Sequence, residues 1–214
     1  MRKYINEFIG TFFLVLSIVM VCYNGTPSGF APLAIGLGLI AIIYAGGHIS
    51  SAHYNPAVTI AFFMQKKISL NDGVAYMAAQ IIGAVFAAFT AMTLLGGVAE
   101  STDPRPFQFQ SPVPPLLAEF LGTFIMVYVI LNVALSNSNK GKSFYGLAIG
   151  CIVIGNAFVF SPVSGGAFNP AVAIGLCSIK AFDWINLWVY MAGSILGGVV
   201  SSIIYSFVNV EESI

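Results

Sequence analysis

Residues 47–59 read Gly-His-Ile-Ser-Ser-Ala-His-Tyr-Asn-Pro-Ala-Val-Thr, and the Asn-Pro-Ala-Val within them returns at residues 169–172. Asn is a strong N-cap residue, and Pro is favoured at the first position of a helix, where its missing N–H costs nothing. Each copy therefore predicts the start of a helix. The two Asn-Pro-Ala motifs consist of Asn55, Pro56, Ala57, Asn169, Pro170 and Ala171.

The apolar runs that follow the two motifs are short. They cover 55–65 and 169–179, eleven residues each. A helix of eleven residues is about 16 Å long, whereas the hydrocarbon core of a bilayer is about 30 Å thick. Both runs are therefore predicted to be half-helices.

The composition places the chain in a membrane. Of its 214 residues, 58% are hydrophobic and only 7% are charged, against roughly 25% charged residues in a soluble domain. Eight Lys and Arg balance eight Asp and Glu, so the chain lacks the basic surface that a nucleic-acid groove requires. A water-soluble enzyme is excluded, and an integral membrane protein is predicted.

Six apolar stretches approach the roughly 20 residues that a membrane-spanning helix needs. They lie at about 4–23, 32–47, 74–95, 115–135, 144–160 and 184–208. The second and fifth are short for complete spans, and each is followed by a break, at 48–54 and 161–168, that we predict to be non-helical. The expected fold is an all-α membrane protein with six transmembrane helices and two re-entrant half-helices.

The two halves of the chain are similar to each other. Glu7-Phe-Ile-Gly-Thr-Phe returns as Glu119-Phe-Leu-Gly-Thr-Phe, 112 positions later, and the Asn-Pro-Ala motif returns after 114. An odd number of spans in each copy inverts the second copy in the bilayer, as in many transport proteins. We therefore predict one domain, 1–214, built from inverted repeats at about 1–98 and 115–214. A proline-rich loop, 99–114, joins them.

The basic residues predict the orientation. Six of the eight fall in one tail and two connections that lie on the same side, namely Arg2, Lys3, Lys66, Lys67, Lys140 and Lys142, with Arg105 and Lys180 opposite. Cytoplasmic loops carry an excess of Lys and Arg. Both termini are therefore expected in the cytoplasm, and the membrane is expected to be a plasma (inner) membrane.

Inversion would bring Asn55 and Asn169 together near the bilayer midplane. Non-helical backbone at this depth is tolerated where it lines a watery cavity. Its carbonyls would accept hydrogen bonds and the two Asn amides would donate them. The two helix starts would repel cations, since each carries about +0.5 of an elementary charge. The pattern predicts a pore for neutral, hydrogen-bonding solutes.

These motifs resemble the aquaporin, or major intrinsic protein, family over essentially the whole chain. The stretch 47–59, the second Asn-Pro-Ala, both Glu-x-x-Gly-Thr segments and Gln80 carry the resemblance. It implies one pore in each protomer, a homotetramer in the lipid bilayer, and a passive channel that conducts water without enzymatic activity or a cofactor.

The constriction departs from the family pattern. The resemblance implies an Arg directly after the second motif, but this chain has Val172 there. The other constriction positions, carried over from the family, are Ile35, Ala157 and Gly166. An apolar, wider ring suggests that glycerol, urea, ammonia or carbon dioxide also pass. The residues that distinguish the subfamilies disagree. Ala173 is dissimilar to glycerol facilitators, which have an Asp at this place, whereas Tyr190 is more similar to the residue found in water channels.

Four polar residues are candidates for supporting the loops. Glu7 and Glu119 need partners, because a carboxylate at the centre of a spanning helix costs about 2.5–3.5 kcal/mol. They would form a proton relay in a coupled transporter, whereas the resemblance implies that they hold the re-entrant loops. His48 and His53, five apart in a predicted loop, are expected to brace it, with His48 as a possible gate rather than a metal ligand.

Two other functions stay open at this stage. Inverted repeats with broken helices also describe secondary transporters, and a membrane scaffold could retain a vestigial pore. No grouping of Ser, His and Asp, no phosphate-binding glycine loop and no metal-ligand pattern occurs in the sequence. A catalytic site and a bound metal are therefore not expected.

Overall fold

The computed structural model describes residues 1–24, 27, 29–96 and 107–209, which form eight α-helices. Six are long: α1 (Arg2–Tyr23), α2 (Ala31–Ser50), α4 (Leu70–Leu94), α5 (Val113–Leu135), α6 (Tyr145–Ser164) and α8 (Leu187–Val208). Two are short, with nine residues each: α3 (Pro56–Met64) and α7 (Pro170–Ser178). Short 3₁₀ turns cover Asn137–Asn139 and Trp184–Asn186.

The predicted fold class is confirmed. Six helices are long and apolar enough to cross a membrane, and the two shorter helices begin directly after Asn55 and Asn169 and end within a residue of the predicted limits. Residues 99–106 of the predicted connecting loop, Arg105 among them, lie outside the described residues.

The second and fifth spans were predicted to be short for complete spans and to be followed by non-helical breaks at 48–54 and 161–168. Both predictions are wrong. Both helices have 20 residues and are long enough to span, and they continue to Ser50 and Ser164. The breaks are correspondingly shorter, at 51–54 and 165–168. α6 continues through Pro162, and both helices end at a residue in the left-handed conformation, Ser51 or Gly165, whose N–H donates to the carbonyl four residues earlier.

The helices pack in pairs that repeat between the halves. α1 packs on α4 as α5 packs on α8, and α1 contacts α2 as α5 contacts α6. The short helices cross over: α3 of the first half packs on α8, and α7 of the second half packs on α4. Each half therefore encloses the short helix of the other, and α3 and α7 meet in the centre.

Small side chains fill the interior, and large apolar ones face outward. Ala84, Ala87, Ala88 and Ala91 of α4 are fully buried, whereas Phe86 on the same helix is 60% exposed. Small residues let helices approach closely in a membrane, where lipid solvates the large apolar side chains. This distribution suits a protein surrounded by lipid.

The two ends of the bundle are distinguished by different contacts. We call the near side the one on which residues 3 and 72 form an ion pair, with Lys3 Nζ and Asp72 Oδ2 2.7 Å apart. The same side holds the loop near 143, whose Ser143 carbonyl accepts a hydrogen bond from Tyr44 at 2.8 Å. The far side is the opposite end, where the N–H of Phe107 donates to Ala181 O at 2.9 Å.

Candidate functional site

The two short helices meet through their N-cap residues. Asn55 Oδ1 accepts from Ala57 N and Asn169 Oδ1 accepts from Ala171 N, both at 2.9 Å. Each amide nitrogen donates across the interface: Asn55 Nδ2 donates to Phe168 O, and Asn169 Nδ2 donates to Tyr54 O, again at 2.9 Å. The predicted meeting of Asn55 and Asn169 is thus present in the geometry. These reciprocal bonds tie each short helix to the loop of the other half.

The Glu7 carboxylate holds the first loop, which covers 51–54. Its Oε1 accepts from Ser50 Oγ at 2.5 Å and from His53 N at 3.0 Å, and its Oε2 accepts from Tyr54 N at 2.7 Å. Gln80 Nε2 donates to Oε2 at 2.7 Å. Buried polar groups require such partners. Glu7 therefore satisfies backbone that has no helical partner.

Glu119 has the same place in the second loop, at 165–168. Its Oε1 accepts from Ser164 Oγ at 2.7 Å and from Ala167 N at 2.9 Å, and its Oε2 accepts from Phe168 N at 2.6 Å. Like Glu7, it is fully buried. The contacts expected of a loop-holding carboxylate are present at both positions.

A further polar cluster exists in the first half alone. His53 Nδ1 lies 3.1 Å from Thr59 Oγ1, to which Gln80 Nε2 donates at 3.0 Å. The His53 ring packs on Phe62, with 4.2 Å between ring centroids. The positions 114 residues later hold Ala167, Ala173 and Ser194. The two loops therefore sit in chemically different surroundings.

His48 differs from its prediction. It lies in the last turn of α2, not in a loop, because that helix continues to Ser50. It is exposed and lines the cavity described below. No hydrogen bond within the described ranges reaches its ring, so the structure gives no bond by which His48 would brace the loop.

One cavity of about 1040 Å³ runs beside the two Asn residues. Its lining includes both Asn55 and Asn169, the near-side loop at residues 139–143, and far-side residues such as Ala31 and Pro32. The cavity therefore touches both ends of the bundle and passes the junction of the short helices.

The four predicted constriction residues all line this cavity: Ile35, Ala157, Gly166 and Val172. Ile35 comes from α2, Ala157 from α6, Gly166 from the second loop and Val172 from the first turn of α7. The Val172 side chain is 1% exposed. Four separate elements thus bring apolar side chains or bare backbone to the far-side half of the cavity.

The charges around the cavity are unevenly placed. Lys140, Lys142 and two histidines line it, whereas its described lining contains no carboxylate; Glu7 and Glu119 lie behind the loops. The N-termini of α3 and α7 both point at its middle, each with about +0.5 of an elementary charge. Within the described ranges no three His, Cys, Asp or Glu residues group as metal ligands would.

Two tyrosines support the loops, a role that the sequence did not predict, although Tyr190 is among the residues that distinguish the subfamilies. Tyr76 OH donates to Ser50 O at 3.1 Å, and Tyr190 OH donates to Ser164 O at 2.8 Å. Both the tyrosines and the serines are 114 positions apart. The repeat offset that relates the Asn-Pro-Ala motifs would have found them.

The sequence matches a known family model. The model described as Major intrinsic protein matches residues 1–205. The chain belongs to this family. Membership supports a passive channel for water and small solutes in an integral, multi-pass membrane protein, and no enzymatic activity is indicated.

Relatives from the family resemble the chain over nearly its full length. Aquaporin NIP1-1 of Oryza sativa is 36% identical, over 97% of this chain and 74% of that protein. Aquaporin AqpM of Methanothermobacter thermautotrophicus is 33% identical, over 98% of both chains. The solved structure of the aquaglyceroporin from Plasmodium falciparum matches with a TM-score of 0.80 at 25% identity, covering 95% of this chain and 94% of that one.

Proposed function

We propose that the cavity is the conducting pathway of a channel for water and small neutral solutes, with Asn55 and Asn169 at its centre. The observation that carries this proposal is that a single cavity includes both Asn side chains in its lining and touches both ends of the bundle. A scaffold with a vestigial pore would not require such a cavity.

The proposed selectivity follows from the hydrogen-bonding groups. Each Asn amide offers two N–H donors, of which one is bonded to the opposite loop. The second can serve a passing solute. Two helix N-termini at the same place disfavour cations. Water and other uncharged molecules would replace their hydrogen bonds here, whereas ions would not regain their hydration.

The apolar constriction is the finer part of the proposal. With Ile35, Ala157, Gly166 and Val172 at the far-side entrance, size rather than charge would limit passage. We infer that glycerol, urea, ammonia and carbon dioxide pass together with water. The similarity to a solved aquaglyceroporin supports solutes larger than water.

A stopped-flow experiment tests the pathway. Purified protein in liposomes should shrink faster than empty vesicles in sucrose, and should take up glycerol. Val172→Arg should lower glycerol permeability more than water permeability, because a long side chain would enter the cavity. Val172→Met is the control with a long uncharged side chain, and it should lower the glycerol and water permeabilities less than Val172→Arg does. If Val172→Arg changes neither permeability, the placement of the constriction is wrong.

The same vesicles separate the rival functions. A channel gives a flux that does not saturate with solute and needs no ion gradient, whereas a coupled transporter saturates and responds to a proton or sodium gradient. Neither Glu7 nor Glu119 lines the described cavity, which favours the channel. Shrinkage no faster than that of empty vesicles, with every solute, would favour a scaffold.

We also propose the remaining organisation. The paired helix contacts support repeats at about 1–98 and 115–214 within one domain, and the basic near-side residues support both termini in the cytoplasm. We place the protein in a plasma membrane as part of the same proposal. Large exposed apolar residues on several helices, such as Phe86, Leu117 and Phe207, leave faces for a homotetramer. Native mass spectrometry in mild detergent tests the tetramer.

A further inference from the structure

The second loop rests on three aromatic rings that are not part of the Asn-Pro-Ala motifs. Phe182 stacks on Tyr190, with 4.4 Å between centroids and an interplanar angle of 13°. Phe107 lies 6.3 Å from Phe182, and its N–H donates to Ala181 O at 2.9 Å. We call Phe107, Phe182 and Tyr190 the aromatic brace.

The brace contacts the loop at the end of α6. Tyr190 OH donates to Ser164 O at 2.8 Å. The next residue, Gly165, has a φ of +88°, and a Cβ added there would lie 2.8 Å from Phe182 Cε1 and 3.4 Å from Phe107 Cγ. The backbone of Gly165 therefore lies against the Phe182 ring, closer than a Cβ would permit, and Phe107 lies at an ordinary contact distance beside it.

The brace and the cavity lie on opposite sides of this loop. Gly165 and Gly166 line the cavity, whereas none of the three aromatic residues does. Phe182 and Tyr190 are buried, at 5% and 1% exposure. At this loop, the wall of the far-side entrance is thus glycine backbone, and Phe182 and Phe107 pack against Gly165.

The first loop has no comparable arrangement of rings behind glycine backbone. Residues 51 and 52 are Ser and Ala where the second loop has Gly165 and Gly166, and residue 68 is Ile where the second half has Phe182. Its support includes a hydrogen bond from Gln80 to Glu7, which holds the loop, and a ring contact between His53 and Tyr76, whose centroids are 5.2 Å apart. The second loop has Ser194 and Ala167 where the first half has Gln80 and His53, and it depends more on the aromatic brace.

We propose that Phe107, Phe182 and Tyr190 are positioning residues that set the size limit of the far-side entrance. They hold the glycine backbone against the cavity and prevent it from retreating when a bulky solute passes. This inference rests on the proposed function, since it assumes that solutes move through the cavity. Part of the size selection at the far-side entrance is thus assigned to residues that do not line the cavity.

Three variants and one matched control test the brace. Phe182→Ala opens space behind Gly165, and Phe182→Leu refills most of that space. Tyr190→Phe removes only the hydroxyl that bonds Ser164 O, while Tyr76→Phe removes the equivalent hydroxyl from the first loop. Water, glycerol and erythritol permeabilities are measured in liposomes with equal amounts of folded protein, as judged by size-exclusion profile.

The readout is the ratio of erythritol to glycerol permeability. We expect Phe182→Ala to raise this ratio about threefold, the effect of a barrier change of about 0.6 kcal/mol on a rate. Tyr190→Phe should raise the ratio less than Phe182→Ala does. Phe182→Leu should return the ratio to that of the unmodified protein, and Tyr76→Phe should leave it unchanged. A merely structural role would lower all permeabilities together and leave the ratio constant.

The outcomes distinguish this inference from the proposed function. If the unmodified protein conducts water and glycerol but the ratio stays constant in Phe182→Ala and Tyr190→Phe, the brace does not set the size limit. An equal change in Tyr76→Phe and Tyr190→Phe would also overturn it. If the unmodified protein conducts nothing, the proposed function itself fails.

Discussion

Tyr54 and Phe168 occupy equivalent places in the two halves, and each ring covers a glycine of a neighbouring helix. A Cβ on Gly10 would overlap the Tyr54 ring, and one on Gly122 would lie 2.5 Å from Phe168 Cε1. The carbonyls of the same two aromatic residues accept the bonds from the opposite Asn amides. The fit of ring on glycine in one half therefore helps to place the short helix of the other half.

Alanine at either glycine should destabilise the protein. Gly10→Ala and Gly122→Ala force the ring to move, and such overpacking typically costs about 1–3 kcal/mol. Gly155→Ala is the matched control, because a Cβ there meets nothing within 4 Å. Thermal unfolding in detergent should show lower transition temperatures for the first two variants and not for the control. Unchanged transitions for Gly10→Ala would show that the Tyr54 ring shifts freely.

Replacing either buried carboxylate by an amide should also cost stability. Glu119→Gln turns one acceptor oxygen into a donor that faces N–H or O–H donors, and an unpaired buried group costs about 1–3 kcal/mol. Glu7→Gln should behave similarly. Asp183→Asn is the control, since one side-chain oxygen still accepts the bond from Ile185 N. Thermal unfolding and the yield of folded protein measure the effect.

The same two variants test the proton-relay alternative. If Glu7 and Glu119 only hold the loops, the folded fraction of Glu7→Gln should conduct with no change in its response to a proton gradient. A gradient-driven flux in the unmodified protein that disappears in Glu7→Gln would instead identify a coupled transporter.

A thiol reagent should block the cavity through one cysteine. Cys22, at the far-side end of α1, is exposed and lines the cavity. A charged methanethiosulfonate should lower water permeability by about half or more, because conduction depends on pore diameter. Cys22→Ser should abolish the inhibition. Cys151→Ser should not, since Cys151 is exposed but lies away from the cavity; inhibition that survives in Cys22→Ser would contradict the assigned lining.

The sequence predicted the elements that depend on local signals. The limits of α3 and α7 followed from Asn-Pro and from the length of the apolar runs, and the meeting of Asn55 with Asn169 followed from the repeat. The lengths of α2 and α6 did not, because Gly, Ser and Pro near 48 and 162 suggest breaks. The last residue of each helix, Ser50 or Ser164, is buried and donates a hydrogen bond to Glu7 or Glu119. Such tertiary contacts override weak local propensity.

The contacts of the loops could be predicted only in part. The carboxylates Glu7 and Glu119 were expected to hold backbone, because a buried charge needs partners. The brace joins Phe107, which precedes α5, to Phe182 and Tyr190 near the start of α8, and no local pattern indicates that Phe107 meets the other two. The prediction that His48 lies in a loop was wrong because the predicted end of α2 came too early.

Each loop is held mainly by residues of its own repeat: Glu7, Tyr76 and Gln80 for the first, and Glu119, Phe182 and Tyr190 for the second. Substitution of one set consequently leaves the residues of the other set unchanged, and the two loops stay joined through the bonds of Asn55 and Asn169. A protein engineer can therefore vary the support of the far-side entrance through Phe182 and Tyr190 without substituting any residue of the first repeat.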